Sequence, residues 1–136
     1  CPFVKSIGFR LAEDMKMLQG QGIGVVGIMS NDTADYPEDS FENMKIYADR
    51  YGFTFPYLID ETQETGRAYD AKCTPDFFGY NSDGDLQYRG RLDDSGRNAP
   101  SPNSKRELVD TMQLVIQTGK GPVDQIPSIG CSIKWR

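Results

Sequence analysis

The stretch from Cys73 to Gly90 reads CTPDFFGYNSDGDLQYRG and carries the clearest structural signals in the chain. Two runs with aromatic and aliphatic residues, 76–80 and 86–90, flank a polar turn that contains an Asp-Gly pair. An Asp-Gly pair between two such runs indicates a β-hairpin. The Thr-Pro step before the first run is typical of a turn. We therefore predict two antiparallel strands that follow Pro75.

The residues before this hairpin alternate between helix and strand patterns. Apolar residues recur every three or four positions from residue 2 to 19, which predicts a helix closed by Gly20. The run 23–29 is apolar on both faces, as expected of a strand buried in a parallel sheet. After a polar stretch, residues 41–51 have a helical pattern that ends at Gly52. This alternation is typical of an α/β protein.

Two more helices are predicted from the capping-box pattern, in which Ser or Asp is followed three residues later by Glu or Gln. The pattern occurs twice, at Asp60 with Gln63 and at Ser104 with Glu107. The first pair predicts a short helix through Tyr69, after a strand at 55–59. The second pair follows a polar surface loop at 91–103 and predicts a final helix that ends at Gly119.

The order of these elements predicts an α/β sandwich with a mixed central sheet flanked by helices. With 136 residues, we expect one domain, 1–136, whose irregular tail at 120–136 packs against the rest through Ile129, Ile133 and Trp135. A helix that begins at Cys1 should follow a strand. We therefore expect N-terminal strands to be missing from the chain, with an upstream segment or another chain in their place.

Composition argues against several functional classes. The chain has no histidine, which disfavours zinc hydrolases and Ser-His-Asp enzymes because both depend on imidazole. Fifteen basic against twenty acidic residues give a net charge of −5 without a basic run, so we expect no nucleic-acid partner. No run approaches the roughly 18 apolar residues of a membrane helix. We expect a soluble protein without a membrane partner and, with no signal peptide visible, a cytoplasmic location.

The cysteines favour redox chemistry. Three of them, Cys1, Cys73 and Cys131, are too few for a disulfide scaffold, and the odd number leaves one thiol spare. Cys1 stands at the start of the first predicted helix, where unpaired N–H groups and the helix dipole favour a thiolate. Pro2 fits the first helical position. Cys1 is therefore the predicted reactive thiol, and this chemistry requires no cofactor and no metal.

Several motifs resemble a known family. The Thr74-Pro75 step before an aromatic strand, a turn and a second strand resembles the thioredoxin fold, in which that proline is cis and faces the helix-start cysteine. Other segments resemble the redoxin branch, which comprises peroxiredoxins of the AhpC/TSA type and their thioredoxin-like relatives. These segments are FPYLID at 55–60, RAY at 67–69 and NSDG at 81–84. The chain is most similar to a bacterial peroxiredoxin-like group of thiol-disulfide oxidoreductases. It matches the helix-start motif of that group with CPFVK at 1–5 and the tail motif with GCSIKW at 130–135.

The resemblance implies that Cys1 is the helix-start cysteine and Pro75 the cis-proline. Members of this group often have another cysteine three residues before the one matched by Cys1, so Cys1 is either the attacking or the resolving thiol. The cis-proline would direct Thr74 toward Cys1 and leave backbone groups free to pair with an extended substrate. Cys73 either forms a disulfide with Cys1 or receives the electrons, or it is a packing residue. The predicted catalytic residues are thus Cys1, Cys73, Thr74 and Pro75, and a redox role for Cys131 is the weaker interpretation.

We predict a thiol-disulfide oxidoreductase with a protein disulfide or peroxide as substrate and a thiol electron donor, and we leave a homodimer open. The first alternative is a peroxiredoxin-like thiol peroxidase with antioxidant activity. In peroxiredoxins an arginine at the start of a later strand holds the peroxide, but Pro75 stands near that position here. Arg89 and Arg91 are the candidates to replace it. We therefore place disulfide exchange ahead of peroxide reduction.

Three other functions are less consistent with the sequence. A redox-silent binding module would keep the fold and use the proline loop to hold a peptide. An N-terminal nucleophile hydrolase would use the α-amine of Cys1 as a base, but such enzymes begin on a strand, whereas Pro2 and the following apolar stripe indicate a helix. A copper chaperone would need a histidine, which the chain lacks.

Overall fold

The computed structural model describes residues 1–99, 101 and 103–136, which form an α/β protein. The described elements follow the predicted order of helix, strand, helix, strand, short helix, hairpin and helix. A short 3-10 helix, Pro37–Asp39, precedes the second long helix. The helices are α1 (Pro2–Gly20), α2 (Phe41–Tyr51), α3 (Glu64–Ala68) and α4 (Glu107–Thr118). The strands are β1 (Gly27–Met29), β2 (Tyr57–Ile59), β3 (Phe77–Tyr80) and β4 (Leu86–Gly90).

The described strands form two pairs of opposite type. β1 and β2 are parallel, with Gly27 opposite Tyr57. β3 and β4 form the antiparallel hairpin predicted around the Asp-Gly turn, with Phe77 opposite Gly90 and an irregularity after Gly79. Both parallel and antiparallel pairing, which the sequence predicts, are therefore present in the part of the chain described. Pro100 and Pro102 of the predicted surface loop lie outside the described residues.

The chain divides into two compact units. The first unit comprises Cys1–Ile7 and Cys73–Cys131, and it contains the hairpin and α4. The second unit comprises Gly8–Lys72 and Ser132–Arg136, and it contains the parallel strands, α2 and α3. None of the helices described is long and apolar enough to span a bilayer.

The core of the first unit lies between α4 and the hairpin. Val109 and Tyr88 are each 1% exposed, and Met112 is buried beside them. Gly79 lets the Met112 side chain pack directly against β3, because a β-carbon at residue 79 would overlap the sulfur of Met112. α4 begins at Glu107, so the capping box predicted at Ser104 is wrong. The carboxylate of Glu107 accepts a hydrogen bond from Arg91 instead, and a tertiary ion pair has replaced the local cap.

The core of the second unit combines the apolar stripe of α1 with a cluster of aromatic rings. Leu18 is 2% exposed and Met15 is also buried. The aromatic cluster is made of Phe9, Tyr47, Tyr51, Phe53, Phe55 and Tyr57. α2 is capped at its start by the Ser40 hydroxyl, which accepts from the Asn43 N–H at 3.3 Å. It ends at Gly52, whose φ of 72° lies in the left-handed region that favours glycine.

β1 differs from the strand predicted at 23–29. Regular pairing is confined to Gly27–Met29. Residues 23–26 are not part of the strand, and Gly24, which lies among them, weakens strand formation. The predicted burial on both faces is wrong, because Val26 is 53% exposed and Ile28 is 41% exposed. The residue opposite Ile28, Leu58, is exposed as well.

The start of α3 also differs from the sequence prediction. Gln63 does not act in a capping box, because its φ of 63° is left-handed and its side chain points elsewhere. Its amide donates to the carbonyl oxygens of Ser30 at 2.8 Å and Lys134 at 2.9 Å, and accepts from the Arg136 N–H at 3.0 Å. Gln63 therefore joins α3 to the end of the tail, a role that local sequence spacing does not encode.

The tail prediction is confirmed in part. Ile133 is buried, and the Trp135 ring lies 4.3 Å from the Arg67 guanidinium. Ile129 is 74% exposed, so its predicted packing is wrong. Hydrogen bonds on either side of it, from the Ser128 hydroxyl and the Cys131 backbone, hold the main chain without burying the Ile129 side chain.

Asp60 performs the capping that Gln63 does not. Its carboxylate accepts from the Gly66 N–H at 2.8 Å, the Thr65 N–H at 3.3 Å and the Ser30 hydroxyl at 2.7 Å. Burial alone would raise the pKa of Asp60, but these hydrogen bonds outweigh burial and hold the pKa below its ordinary value. The ionised carboxylate therefore stabilises the fold above the unfolded pKa of about 4, and this contribution disappears as pH falls through the folded pKa.

We expect Asp60→Asn to lower the free energy of unfolding by about 1–3 kcal/mol at neutral pH. The difference from the wild type should begin to shrink below about pH 4 and should vanish only once pH has fallen below the lowered folded pKa, where the carboxyl is protonated in both the folded and the unfolded chain. Urea unfolding across the pH range measures this difference. The exposed Asp49, changed to Asn, is the control and should alter stability little. A difference that does not depend on pH would contradict the role of the charge.

Candidate redox site

Cys1 lies at the N-terminal end of α1, as the sequence predicts. Pro2 is the first residue of the helix, and the carbonyl oxygen of Cys1 accepts from the Lys5 N–H at 3.0 Å. No acidic residue occupies the first turn of α1. The positive end of the helix dipole at Cys1 therefore has no carboxylate in that turn to oppose it, and this environment favours a thiolate when Cys1 is reduced.

The loop before β3 brings Thr74 next to Cys1. The Thr74–Pro75 peptide bond is cis. The sulfur of Cys1 lies 3.4 Å from the carbonyl oxygen of Thr74. Two of the predicted site residues, Cys1 and Thr74, are therefore neighbours although 73 positions separate them in sequence.

Cys131 is the disulfide partner of Cys1. The two residues are joined by a disulfide, with their Cα atoms 6.3 Å apart. Cys131 also pairs with Thr74 through the main chain. The Thr74 N–H donates to the Cys131 carbonyl at 2.8 Å, and the Cys131 N–H donates to the Thr74 carbonyl at 3.0 Å. Cys1, Thr74 and Cys131 thus form one cluster within the first unit.

This arrangement corrects two expectations from the sequence. The backbone groups of Thr74, expected to be free for a substrate, are paired with the chain's own tail. The interpretation of Cys73 as the disulfide partner of Cys1 is also wrong, because Cys1 pairs with Cys131 and Cys73 is a free thiol. The physical reason is that Cys131 is fixed to Thr74 by two hydrogen bonds, which hold its backbone beside Cys1.

Gly130 permits this close approach, and sequence reasoning did not single it out. A β-carbon at residue 130 would overlap the carbonyl group of Thr74 and approach the nitrogen of Pro75 to 3.2 Å. The atoms that this β-carbon would meet belong to the backbone, which cannot move aside as the end of a flexible side chain can. The Gly-Cys pair in the tail was the available signal, because glycine is used where two backbones approach closely.

Cys73 lies on the same loop but has a different environment. Its thiol donates to the Pro75 carbonyl at 3.5 Å. Burial raises the pKa of Cys73 above its ordinary value, the Asp76 carboxylate raises it further, and the Arg89 guanidinium partly opposes both. Cys73 is therefore held as a neutral thiol at neutral pH, and a neutral thiol is a poor nucleophile.

We expect Cys73 to react slowly with iodoacetamide at neutral pH. In the oxidised protein Cys73 is the free thiol, so its alkylation can be followed alone by mass spectrometry. The rate should rise with pH and reach its midpoint above that of the same thiol in the urea-unfolded protein, because the folded pKa is raised. Asp76→Asn should move the profile to lower pH by removing a neighbouring negative charge. A midpoint equal to that of the unfolded protein would contradict this environment.

The two arginines considered as peroxide ligands are both engaged with carboxylates. Arg89 lies 3.5 Å from the Asp76 carboxylate and 4.9 Å from the centre of the Phe78 ring. Arg91 donates to Glu107 at 2.6 Å. Each guanidinium therefore already has a charged partner within the first unit.

Two further observations limit the chemistry of the site. The hydroxyl oxygen of Thr74 is buried and has no hydrogen-bond partner among the described residues, so Thr74 contributes through its main chain. Across residues 1–99, 101 and 103–136, no group of three or more His, Cys, Asp or Glu side chains is arranged to hold a metal ion. The site brings together the sulfurs of Cys1 and Cys131.

Comparison with known proteins establishes the family. A sequence model of the AhpC/TSA family matches residues 1–89, which is more than half of the chain. The chain belongs to the AhpC/TSA family. This confirms the redoxin resemblance and the thioredoxin-like fold, and the general activity of an AhpC/TSA protein is that of a thiol-dependent oxidoreductase or peroxidase. Cys1 and the Cys73–Pro75 loop lie inside the matched region, whereas Cys131 lies beyond it.

Two solved structures resemble this AhpC/TSA chain along its whole length. An uncharacterized conserved protein from Geobacillus kaustophilus is 46% identical, with a TM-score of 0.91; the match covers 100% of this chain and 72% of that protein. A hypothetical protein from Sinorhizobium meliloti 1021 is 39% identical, with a TM-score of 0.89 and coverage of 100% and 74%. No curated protein matches the sequence. The similarity to both solved structures includes the tail that carries Cys131.

Proposed function

We propose that this protein is a thiol-disulfide oxidoreductase in which Cys1 and Cys131 form the redox pair. The observation that carries the proposal is the disulfide between a helix-start cysteine and a tail cysteine that is hydrogen-bonded to Thr74. Its substrate is a disulfide, and its second partner is a thiol reductant that reopens the Cys1–Cys131 bond.

In the proposed reaction, the reduced protein transfers two electrons to the substrate. The Cys1 thiolate attacks one sulfur of a disulfide RSSR, forms a Cys1–SR mixed disulfide and releases RS⁻. The Cys131 thiolate then attacks the sulfur of Cys1, expels the second RS⁻ and forms the Cys1–Cys131 disulfide. The two protons of the protein thiols end on the two released thiols. Cys1 is assigned the attack because the helix terminus favours its thiolate.

Cys131 is suited to the resolving step because its backbone does not depend on the disulfide for its position. The two hydrogen bonds with Thr74 involve neither sulfur, so we expect them to hold residue 131 beside Cys1 when the disulfide opens. Pre-positioning of the second thiol makes its attack on the mixed disulfide effectively intramolecular, and such steps are fast. Thr74 is thus proposed as a positioning residue, and Pro75 as the residue that shapes its loop.

The alternatives have less support from the site. Peroxide reduction would form a sulfenic acid on Cys1, which Cys131 would resolve with loss of water. The ion pairs of Arg89 and Arg91 leave neither guanidinium without a carboxylate partner, which disfavours their use as peroxide ligands. A redox-silent binding module gives no reason for a helix-start cysteine to be joined to the tail.

The proposal is tested by a single-turnover experiment. The protein is reduced, freed of reductant and mixed with glutathione disulfide, and samples are quenched with N-ethylmaleimide. We expect two thiols to be lost together, and peptide mapping to recover the Cys1–Cys131 disulfide with Cys73 alkylated. A protein that keeps all its thiols, or that forms a disulfide through Cys73, would contradict the proposed pair.

A further inference from the structure

The main-chain edge of Thr74 is occupied by the protein's own tail. Both backbone groups of Thr74, the N–H and the carbonyl, bond to Cys131 in the antiparallel manner of a short β-bridge. An extended polypeptide binds an exposed strand or loop edge through this same kind of main-chain pairing. A polypeptide substrate therefore finds the edge beside Cys1 already filled.

The tail before Cys131 is held along β4. The Arg91 N–H donates to the Ile126 carbonyl at 3.2 Å, and the Arg89 N–H donates to the Gln125 side chain at 2.8 Å. The Ser128 hydroxyl donates to the carbonyl of Gly90. These bonds do not involve either sulfur of the disulfide, so opening the disulfide leaves them in place.

The tail after Cys131 is held within the second unit. The Lys134 N–H donates to the Asn31 side chain at 2.9 Å, and the Lys134 carbonyl accepts from Asp32 at 2.7 Å and from Gln63 at 2.9 Å. Ile133, which directly precedes Lys134, is buried. Since the segment before Cys131 is anchored along β4 within the first unit by bonds that involve neither sulfur, we expect that reduction alone does not free the edge of Thr74.

We propose that the Cys1 site acts on low-molecular-weight disulfides rather than on polypeptide disulfides. This inference rests on the proposed function and adds the substrate class. A small disulfide needs only to reach the sulfur of Cys1, and both Cys1 and Cys131 are partly exposed. A polypeptide disulfide would first have to displace Cys131, and the fit of Gly130 against Thr74 leaves no space for a second backbone beside the first.

The reaction of the small disulfide balances without any group beyond those named. Cys1 takes one RS unit and releases RS⁻, and Cys131 displaces the second RS⁻ as the protein disulfide closes. Two protein thiols are oxidised, and one RSSR is reduced to two RSH.

The test compares two disulfides with the pre-reduced full chain. Bis(hydroxyethyl) disulfide is the small probe and insulin is the polypeptide probe, and each rate is divided by the rate of the same disulfide with free dithiothreitol. We expect the normalised rate for the small disulfide to exceed that for insulin by at least about tenfold, since displacing the tail breaks two backbone hydrogen bonds. Equal normalised rates, or a faster reaction with insulin, would overturn the inference.

Gly130→Val is designed to displace the tail from Thr74. It should raise the insulin rate relative to the small-disulfide rate by about tenfold, through loss of the same two hydrogen bonds. Gly24→Val is the matched control, because a β-carbon at Gly24 meets nothing within 4 Å. An unchanged ratio in folded Gly130→Val would count against the tail as the barrier.

Amide hydrogen exchange gives a second measurement that needs no variant. In the reduced wild-type protein, the amides of Thr74 and Cys131 should stay protected, and rapid exchange of both would overturn the inference. Failure of the proposed function looks different from either result, because then neither disulfide oxidises the Cys1–Cys131 pair.

Discussion

Replacing Cys1 with serine should abolish the joint loss of two thiols on reaction with a disulfide and leave only the slow reaction of single thiols such as Cys131. A serine hydroxyl has nearly the size of a thiol but is not ionised at neutral pH, so it cannot attack a disulfide sulfur. Cys73 cannot take over, because burial and Asp76 raise the pKa of its thiol. The measurement is the rate at which the pre-reduced protein consumes bis(hydroxyethyl) disulfide.

The matched control for Cys1→Ser is Cys73→Ser, which removes a thiol from the same neighbourhood without touching the Cys1–Cys131 pair. It should keep the wild-type rate. Insulin reduction and peroxide consumption are measured in parallel for Cys1→Ser. If both activities survive the loss of Cys1, this residue has no part in the mechanism.

Opening the Cys1–Cys131 disulfide should lower the free energy of unfolding by about 2–5 kcal/mol. The disulfide joins residues 130 positions apart, and a cross-link over so long a loop removes much of the conformational entropy of the unfolded chain. Reduction restores that entropy and so favours unfolding. The dependence of stability on urea concentration should also steepen, because an unfolded chain without the cross-link exposes more surface.

Urea unfolding of the oxidised protein, with and without dithiothreitol, measures this effect. Cys131→Ser should match the reduced wild type and should no longer respond to dithiothreitol. Cys73→Ser should respond as the wild type does, which separates the effect of the disulfide from that of reductant on the free thiol. Identical unfolding curves for oxidised and reduced wild type would show that the cross-link is not formed in solution.

The elements that sequence predicts well here are those whose signals are local. Gly52 and Gly119 end helices because each adopts a left-handed conformation that few other residues accept, and the structure confirms both ends. The hairpin follows its Asp-Gly turn for a similar reason. Such features depend on a few neighbouring residues, so a single sequence is enough to find them.

The capping boxes failed because distant partners compete for the same side chains. Gln63 bonds to the backbone of Ser30 and Lys134, and Glu107 pairs with Arg91. None of these partners lies within the helix that each residue was predicted to cap. Spacing of three residues indicates a cap only when no stronger tertiary partner is near.

The candidate site was predicted in part. Cys1 at a helix start could be found from its own position and Pro2, and the Thr74-Pro75 loop could be found from the following strand and the family resemblance. The partner of Cys1 could not be found in this way, because nothing in the spacing of three cysteines decides which two meet. The backbone hydrogen bonds between Thr74 and Cys131, which Gly130 permits, bring Cys131 to Cys1, and they are a property of the folded chain.

The disulfide between Cys1 and Cys131 makes the oxidised chain a covalent ring that includes α1 to α4. A single cut in the backbone anywhere inside this ring, for example after Arg97 in the surface loop, leaves one covalent molecule while the disulfide is closed. Reduction would divide the same nicked molecule into two separate polypeptides. The redox state of the pair therefore decides whether damage to the backbone in this loop also breaks the molecule's covalent integrity.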